Sequence, residues 1–92
     1  MTIAKFALGS EVITPGACSA IARTVCNPRQ FLDRHMSGDW GDLGDEDKML
    51  NDIAVKHGER ILSAYTLSDG TRIYVITEAD RSSTCILLPE EY

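Results

Sequence analysis

The chain has 92 residues, 43% of them apolar, and a net charge of −5, which predicts one small globular domain over residues 1–92. The acidic balance disfavours direct binding to nucleic acid, because phosphates attract a basic surface. It favours a basic protein partner, including a protein or complex that itself processes nucleic acid. So small a domain has a limited core, and a monomer and a homodimer both remain open.

Cysteine usage and hydropathy indicate the redox compartment of the protein and whether it associates with a membrane. The three cysteines are Cys18, Cys26 and Cys85, and an odd count without a C-x-x-C pair argues against a disulfide framework and a zinc site. No apolar stretch approaches the roughly 20 residues that cross a bilayer, and the first residues lack a signal-peptide pattern. We therefore expect a cytoplasmic protein with reduced thiols, no membrane association and no cofactor.

The N-terminal part predicts a strand and two short helices. Residues 5–13 predict a weak strand interrupted by a glycine. Thr14 and Pro15 are typical of an N-cap and a first helical position, which predicts a helix to about residue 25. Asn27 and Pro28 repeat this pattern and predict a second helix over residues 28–37, with Gly38 as its stop.

A third helix is predicted from an N-cap at Asp42 to about residue 57, with Gly58 as its end. Its acidic first turn suits the positive end of the helix dipole. The helical spacing of its apolar residues predicts a buried stripe, formed by Leu43, Met49, Leu50, Ile53 and Ala54.

After residue 59 the apolar period changes to two, which predicts strands over residues 60–67, 72–77 and 83–88. The Asp69-Gly70 pair between the first two indicates a hairpin with a type I′ turn, and Pro89 ends the last strand. The predicted fold is therefore α+β: an N-terminal strand, three helices and a three-stranded antiparallel meander in two layers. The first strand is a candidate fourth strand of the sheet.

Two blocks of the sequence, HMSGDWGDLGDEDKMLND and RILSAYTLSDGTRIYVITEADRSSTCILLPEEY, resemble a family of small bacterial proteins carried on plasmids, phages and other mobile elements. The shared motifs are H-x-S-G-D-W-G-D, R-I-L-S-x-Y, T-E-A-D-R-S and a C-terminal L-L-P-x-x-Y, and an N-terminal T-P-G-A also fits. The resemblance covers nearly the whole chain. It implies a mobile-element setting, and its motifs carry no established chemistry.

Some proteins of this family are described as the M subunit of a type I restriction endonuclease. A DNA methyltransferase needs a cofactor-binding βαβ fold and a catalytic loop of Asn or Asp followed by two prolines and an aromatic residue. The present sequence has neither element and is too short to hold both. The sequence therefore contradicts that description.

His35, Asp39 and Asp42 are candidates for a site at the junction of the second and third helices. A histidine oriented by a carboxylate could act as a general base of a small hydrolase, and the three side chains could also hold a divalent ion. The alternative is that His35 caps the second helix while the two aspartates serve a turn and an N-cap. Capping explains all three without chemistry, so we favour it.

Trp40 and the acids around it form the candidate partner-binding surface. Tryptophan is frequent at interaction hot spots, but a lone tryptophan in a small domain is also a core anchor. The run of carboxylates could imitate phosphate spacing toward a nucleic-acid-processing protein, or could be a solvated helix face. The residues of this hypothesis are Asp39, Trp40, Asp42, Asp45, Glu46, Asp47 and Asp52.

Secondary candidates are His35, Tyr65 and three arginines. Arg60 and Arg72 are predicted to be cross-strand neighbours facing solvent, and Arg81 lies in a turn. Ordinary surface ion pairs are the favoured alternative. We expect a non-enzymatic interaction protein of a mobile element, in its sharpest form an anti-CRISPR or anti-restriction inhibitor. A small hydrolase or metal-binding protein and a homodimeric regulatory protein are the alternatives.

Overall fold

Three helices pack on a mixed four-stranded sheet. The computed structural model describes residues 4–92. The strand order is β1-β4-β3-β2, with β1 parallel to β4 and the other pairs antiparallel. The predicted α+β fold is confirmed, and the N-terminal strand is the fourth strand of the sheet. The elements are β1 (Ser10–Ile13), α1 (Pro15–Arg23), α2 (Pro28–Met36), α3 (Asp45–His57), β2 (Ile61–Thr66), β3 (Arg72–Thr77), β4 (Ser83–Leu87) and a 3-10 turn at Pro89–Glu91.

The first two helices begin as their capping residues predict. The Thr14 hydroxyl accepts a hydrogen bond from the Ala17 N–H (3.2 Å) and the Asn27 side chain accepts one from the Arg29 N–H (2.8 Å), which satisfies amides that a helix start leaves open. The first helix ends at Arg23, before the predicted residue 25. Val25 has a left-handed φ of 53° and is 92% exposed, a conformation that cannot continue a helix.

The first strand is shorter than predicted, because the chain bends at Gly9. Its φ is +66°, and a Cβ at this position would overlap the carbonyl oxygens of Arg81 and Ser82. Only a glycine fits so close to the turn between β3 and β4. Phe6 and Leu8 lie before the bend and still pack into the core.

The third helix starts two residues later than predicted. Gly44 is its N-cap, and no side chain caps it, so the prediction that Asp42 is the N-cap is wrong. The Asp42 carboxylate instead accepts a hydrogen bond from the Thr66 hydroxyl (2.7 Å). The predicted end is confirmed, since Gly58 is a left-handed C-cap with φ of 68°.

The β2–β3 hairpin forms at Asp69-Gly70, but its turn is not type I′. That turn needs positive φ at both central residues, and only Gly70 has it, with φ of +88°. The Gly70 N–H donates to the Leu67 carbonyl (2.9 Å), and the Leu67 N–H donates to the Thr71 carbonyl (2.8 Å). The glycine therefore takes the left-handed position that closes the loop.

The apolar core has two parts. The larger lies between α1, α2 and the helix-facing side of the sheet, and the smaller joins Trp40 and Ala54 to Ile61 at the start of β2. The larger part consists of Leu8, Ala17, Ala20, Ile21, Phe31, Leu32, Tyr65, Leu67, Ile73, Val75 and Ile86.

The outer edge of β2 is covered by the segment that leads into α3. The Ala64 N–H donates to the Trp40 carbonyl (3.2 Å), and the Asp42 N–H donates to the Ala64 carbonyl (2.7 Å). Within α3, the Asn51 side-chain amide donates to the Leu62 carbonyl (2.7 Å) and accepts from the Leu62 N–H (3.3 Å). These four bonds occupy backbone groups that would otherwise invite strand pairing with another chain.

Gly41 makes this edge contact possible. Its φ is +75°, and an added Cβ would overlap the Ala64 carbonyl oxygen and press on the Tyr65 ring. Backbone can lie this close to β2 only where there is no side chain.

We expect Gly41→Ala to lower the free energy of unfolding by about 3 kcal/mol or more, because left-handed strain adds to the overlap with β2. The matched control is Gly58→Ala, which has a similar φ of +68° and nothing within 4 Å of the added Cβ, so it carries the strain alone, about 1–2 kcal/mol. Urea unfolding of both variants measures the difference. Equal losses would show that the close approach to β2 contributes nothing.

Candidate functional site

The outer face of α3 exposes three large apolar side chains. Met49 is 63% exposed, Leu50 is 56% exposed and Ile53 is 43% exposed. The predicted buried stripe is therefore wrong for these three residues, which we call the α3 outer face. Asn51 and Ala54 are the buried residues of this helix. A small domain gains stability from burying such side chains. Core packing therefore does not account for their presence on this exposed face.

Acidic side chains border the α3 outer face. Asp45, Glu46 and Asp47 form the first turn of the helix, and all three are exposed. Within residues 4–92 no Lys or Arg lies within ion-pair distance of them. The helix dipole favours acids at this position, which explains their place in the sequence. These three carboxylates are exposed to solvent and accessible to a partner.

A groove lies between α3 and the sheet face that the helices leave uncovered. It has a volume of about 490 Å³, and Leu50 connects it to the α3 outer face. Its walls are mixed, because leucine, alanine and tyrosine side chains alternate with two aspartates, an asparagine and an arginine. The lining residues are Asp42, Leu43, Gly44, Asp47, Leu50, Asn51, Leu62, Ala64, Arg72 and Tyr74.

His35 lies fully buried beneath the sheet and holds a chain of hydrogen bonds. Its Nδ1 is 2.5 Å from the Ser63 hydroxyl and its Nε2 is 2.9 Å from the Thr77 hydroxyl. The Thr77 hydroxyl is 2.7 Å from that of Thr84, which donates to the Leu8 carbonyl at 2.8 Å. We call this series the His35 chain. It links α2, β2, β3, β4 and the N-terminal segment.

The Leu8 carbonyl fixes the direction of every bond in the His35 chain. A carbonyl only accepts, so Thr84 gives it its one proton and must accept from Thr77. Thr77 has then given away its own proton and must accept from Nε2–H of His35. The ring is therefore the Nε2–H tautomer, and when it is neutral its Nδ1 accepts from Ser63. Within residues 4–92, no buried side-chain nitrogen or oxygen is left without a partner.

The surroundings of His35 oppose its protonation. Burial, together with a smaller effect of the nearby charge of Arg81, lowers the pKa of His35 from 6.5 to about 3. Protonation of Nδ1 would also remove the hydrogen bond that the Ser63 hydroxyl donates to this nitrogen. His35 is therefore a neutral structural residue at physiological pH, and the prediction that it caps α2 is wrong.

The structure does not bring His35, Asp39 and Asp42 together as one site. Asp39 pairs with Arg34, with Nε to Oδ2 at 2.7 Å, and this hydrogen bond holds the pKa of the Asp39 carboxyl below its usual range. Asp42 accepts from Thr66, and the His35 ring faces Ser63 and Thr77. Among residues 4–92 there is no group of three His, Cys, Asp or Glu side chains placed to hold a metal ion.

Trp40 belongs to the core. It is 3% exposed, its ring stacks on Phe6, and its Nε1–H donates to the Asp52 carboxylate at 3.0 Å. Of the predicted partner-binding residues, Trp40 therefore lies inside the domain, and Asp52 holds it there. The alternative that Trp40 anchors the core accounts for its position.

Tyr65 is also buried. Burial raises the pKa of Tyr65 to about 12, and its hydroxyl donates to the Asp39 carbonyl at 2.6 Å. The Arg34 guanidinium lies over its ring at 4.5 Å. Tyr65 therefore fixes the junction of α2 and α3 rather than facing a partner.

The three arginine candidates lie in different places. Arg60 pairs with Glu78, with Nε to Oε2 at 3.5 Å, and Arg72 donates to the Asp42 carbonyl at 3.2 Å. The prediction that these two are cross-strand neighbours is wrong, because Arg72 is opposite Thr66, at the other end of the hairpin from Arg60.

Arg81 joins the C-terminal end of α3 to the β3–β4 turn. Its guanidinium donates to the carbonyls of Ala54 (3.1 Å), Glu59 (2.7 Å) and Glu78 (3.2 Å). These bonds hold a residue whose φ is 61°, a left-handed conformation that is strained for arginine. Arg81 is a structural clamp and is only partly exposed.

Asn51 is not among the residues that the sequence patterns single out, and Met49, Leu50 and Ile53 face solvent although their spacing predicts burial. An asparagine in the middle of a helix is unfavourable unless its amide has a partner, and Asn51 stands between apolar positions. That contrast was the available signal for a side chain that bonds a strand edge.

A scan against protein-family models, a search of curated proteins and a search of solved structures each found no match to this chain. Within the described part of the chain, none of the helices is long and apolar enough to cross a membrane. The function is therefore inferred from the geometry of the domain itself.

The buried His35 predicts a loss of stability in mild acid. Above pH 6.5 the ring is neutral in both the folded and the unfolded chain. Below pH 6.5 the His35 ring of the unfolded chain binds a proton. In the folded chain the ring stays neutral there, because its pKa is about 3. The unfolding free energy is expected to fall by about 2 kcal/mol from this group between pH 7 and pH 5.

Urea unfolding at both pH values measures this loss. His35→Gln is expected to be less stable at pH 7 and to lack most of the difference between the two pH values. His57→Gln removes an exposed histidine at the end of α3 and should keep the full difference. Nitrogen-15 spectra of the His35 ring that show a proton on Nδ1 alone would contradict the assigned direction of the chain.

Proposed function

We propose that this chain is a small acidic protein-interaction module that binds a basic partner protein through the α3 outer face. The single observation that carries the proposal is the exposure of Met49, Leu50 and Ile53 beside carboxylates that pair with no Lys or Arg of residues 4–92. Apolar side chains gathered on one helix face of a small protein are typical of an interaction surface.

The apolar and acidic residues have different roles in this proposal. Removing Met49, Leu50 and Ile53 from water supplies affinity. The carboxylates of Asp45, Glu46 and Asp47 attract and orient a basic surface, and this part weakens as salt screens it. Leu50 belongs both to the α3 outer face and to the lining of the groove, so the groove offers a place for one anchoring side chain of the partner.

The finer proposal is that the partner is a nucleic-acid-processing complex of the host, which the module inhibits by covering a basic surface. It is argued from the net charge of −5 and from the resemblance, inferred from the sequence motifs, to proteins carried on mobile elements. An acidic helix competes for a surface that otherwise binds phosphates. In this reading the protein is an anti-restriction or anti-CRISPR inhibitor acting in the cytoplasm without chemistry of its own.

The test compares the protein with a triple variant, Met49→Ser, Leu50→Ser and Ile53→Ser. Cells carrying a restriction or CRISPR system receive unmodified phage DNA with and without the protein, and plating efficiency is measured. The wild type is expected to raise it and the triple variant to fail. With the purified target complex, the triple variant should bind about 30-fold more weakly or worse, which corresponds to about 2 kcal/mol.

The control is Val25→Ser, which removes an exposed apolar side chain from the α1–α2 loop and should bind as the wild type does. A charge-reversed variant, Asp45→Lys with Glu46→Lys, should show a shallower dependence of affinity on salt. The proposal fails if no defence system is inhibited and affinity capture from host lysate returns no nucleic-acid-processing protein. It also fails if the triple variant remains fully active.

A further inference from the structure

The edge of the sheet formed by β1 is open. The N–H of Ser10 donates to the Ser82 carbonyl and that of Thr14 to the Ile86 carbonyl, both at 3.0 Å. Backbone groups alternate in direction along a strand, so the N–H and C=O of Glu11 and Ile13 point away from β4. Among residues 4–92 no group hydrogen-bonds to them.

The two edge strands of the sheet differ in whether their outward backbone groups are hydrogen-bonded. At β2 the outward groups of Leu62 and Ala64 are all bonded, by Asn51 and by the backbone of Trp40 and Asp42. The contrast marks β1 as the place where a further strand can be added, since unpaired strand edges recruit extended chains.

A groove runs beside the open edge on the helix side. Its volume is about 190 Å³. The Arg29 guanidinium donates to the Glu11 carboxylate at 2.6 Å, which holds the start of α2 against the strand. A strand added to β1 would place every second side chain over this groove. The lining residues are Glu11, Val12, Ile13, Pro28, Leu32 and Ile86.

We propose that β1 and α2 form a binding site for one extended segment of a partner polypeptide, which adds to the sheet beside β1. Main-chain bonds to Glu11 and Ile13 supply the pairing, and an aliphatic side chain of the segment packs against Pro28 and Leu32. The net charge of −5 favours a segment that carries Lys or Arg.

A single segment fits this edge better than a second copy of the chain does. Antiparallel pairing of two β1 strands needs a two-fold axis perpendicular to the sheet, which places the helices of both copies on the same face. Both α2 helices would then meet at the joint, each already in contact with its own Glu11. An isolated strand brings no such helix.

The test titrates the protein with a short peptide that alternates valine and threonine between terminal lysines, followed by amide NMR. We expect binding in the millimolar range or tighter, with shifts and slowed hydrogen exchange at Glu11 and Ile13. Glu11→Pro removes an outward N–H and leaves the pairing with β4 intact, because an edge proline is tolerated there. It should weaken binding by about tenfold, while Glu11→Ala, which keeps the N–H, should not.

The wild-type amide map decides the question even if Glu11→Pro does not fold. Absence of binding, or shifts confined to other surfaces, would overturn the proposal. So would a free protein that sedimentation shows to be a dimer paired through β1. The triple variant of the α3 outer face should bind this peptide normally, so the result is independent of the proposed function.

Discussion

The rest of the structure depends on the His35 chain. One buried imidazole on α2 fixes the relative positions of three strands and the N-terminal segment, and the Leu8 carbonyl sets the direction of each bond in it. A buried polar group without a partner is strongly destabilising. A slip of any strand by one residue would separate the hydrogen-bond partners of the His35 chain and leave such groups behind. The network therefore specifies the register of the sheet as well as stabilising it, while the apolar cluster around it supplies most of the burial.

The position of α3 follows from a second polar contact. Asn51 bonds both backbone groups of Leu62, which ties the middle of the helix to the outer edge of β2. Only a narrow side of the helix, with Ala54 as its buried apolar residue, then faces the protein. The side that carries Met49, Leu50 and Ile53 is turned to solvent as a consequence. The same contact that protects the strand edge from other chains creates the surface that we propose for binding.

Local signals in the sequence predicted most of the fold. Thr14, Asn27 and Gly58 mark helix ends through bonds within a few residues, and the alternating pattern gave the three C-terminal strands. The orientation of α3 was not predictable in this way, because Met49, Leu50 and Ile53 have the same spacing whether they face a core or a partner. The partners of His35 were also out of reach, since Ser63 and Thr77 are distant in sequence and become neighbours only after the strands pair. The acids of α3 were named as candidates from the sequence, but the apolar residues beside them were assigned to the wrong side of the helix.

The two open surfaces have different physical characters, and this bears on how a partner would use them. The α3 outer face offers side chains, so its recognition depends on apolar burial and charge and is sensitive to the partner's sequence. The β1 edge offers main-chain groups, so its recognition depends on an extended backbone and tolerates more sequences. They lie at opposite edges of the sheet, because β1 is one edge strand and β2, against which α3 packs, is the other. A partner that supplied both a basic surface and an extended segment would engage the two at once, and linkage would raise the effective concentration of the second contact. A domain with so small a core can reach high affinity by that route without enlarging either surface.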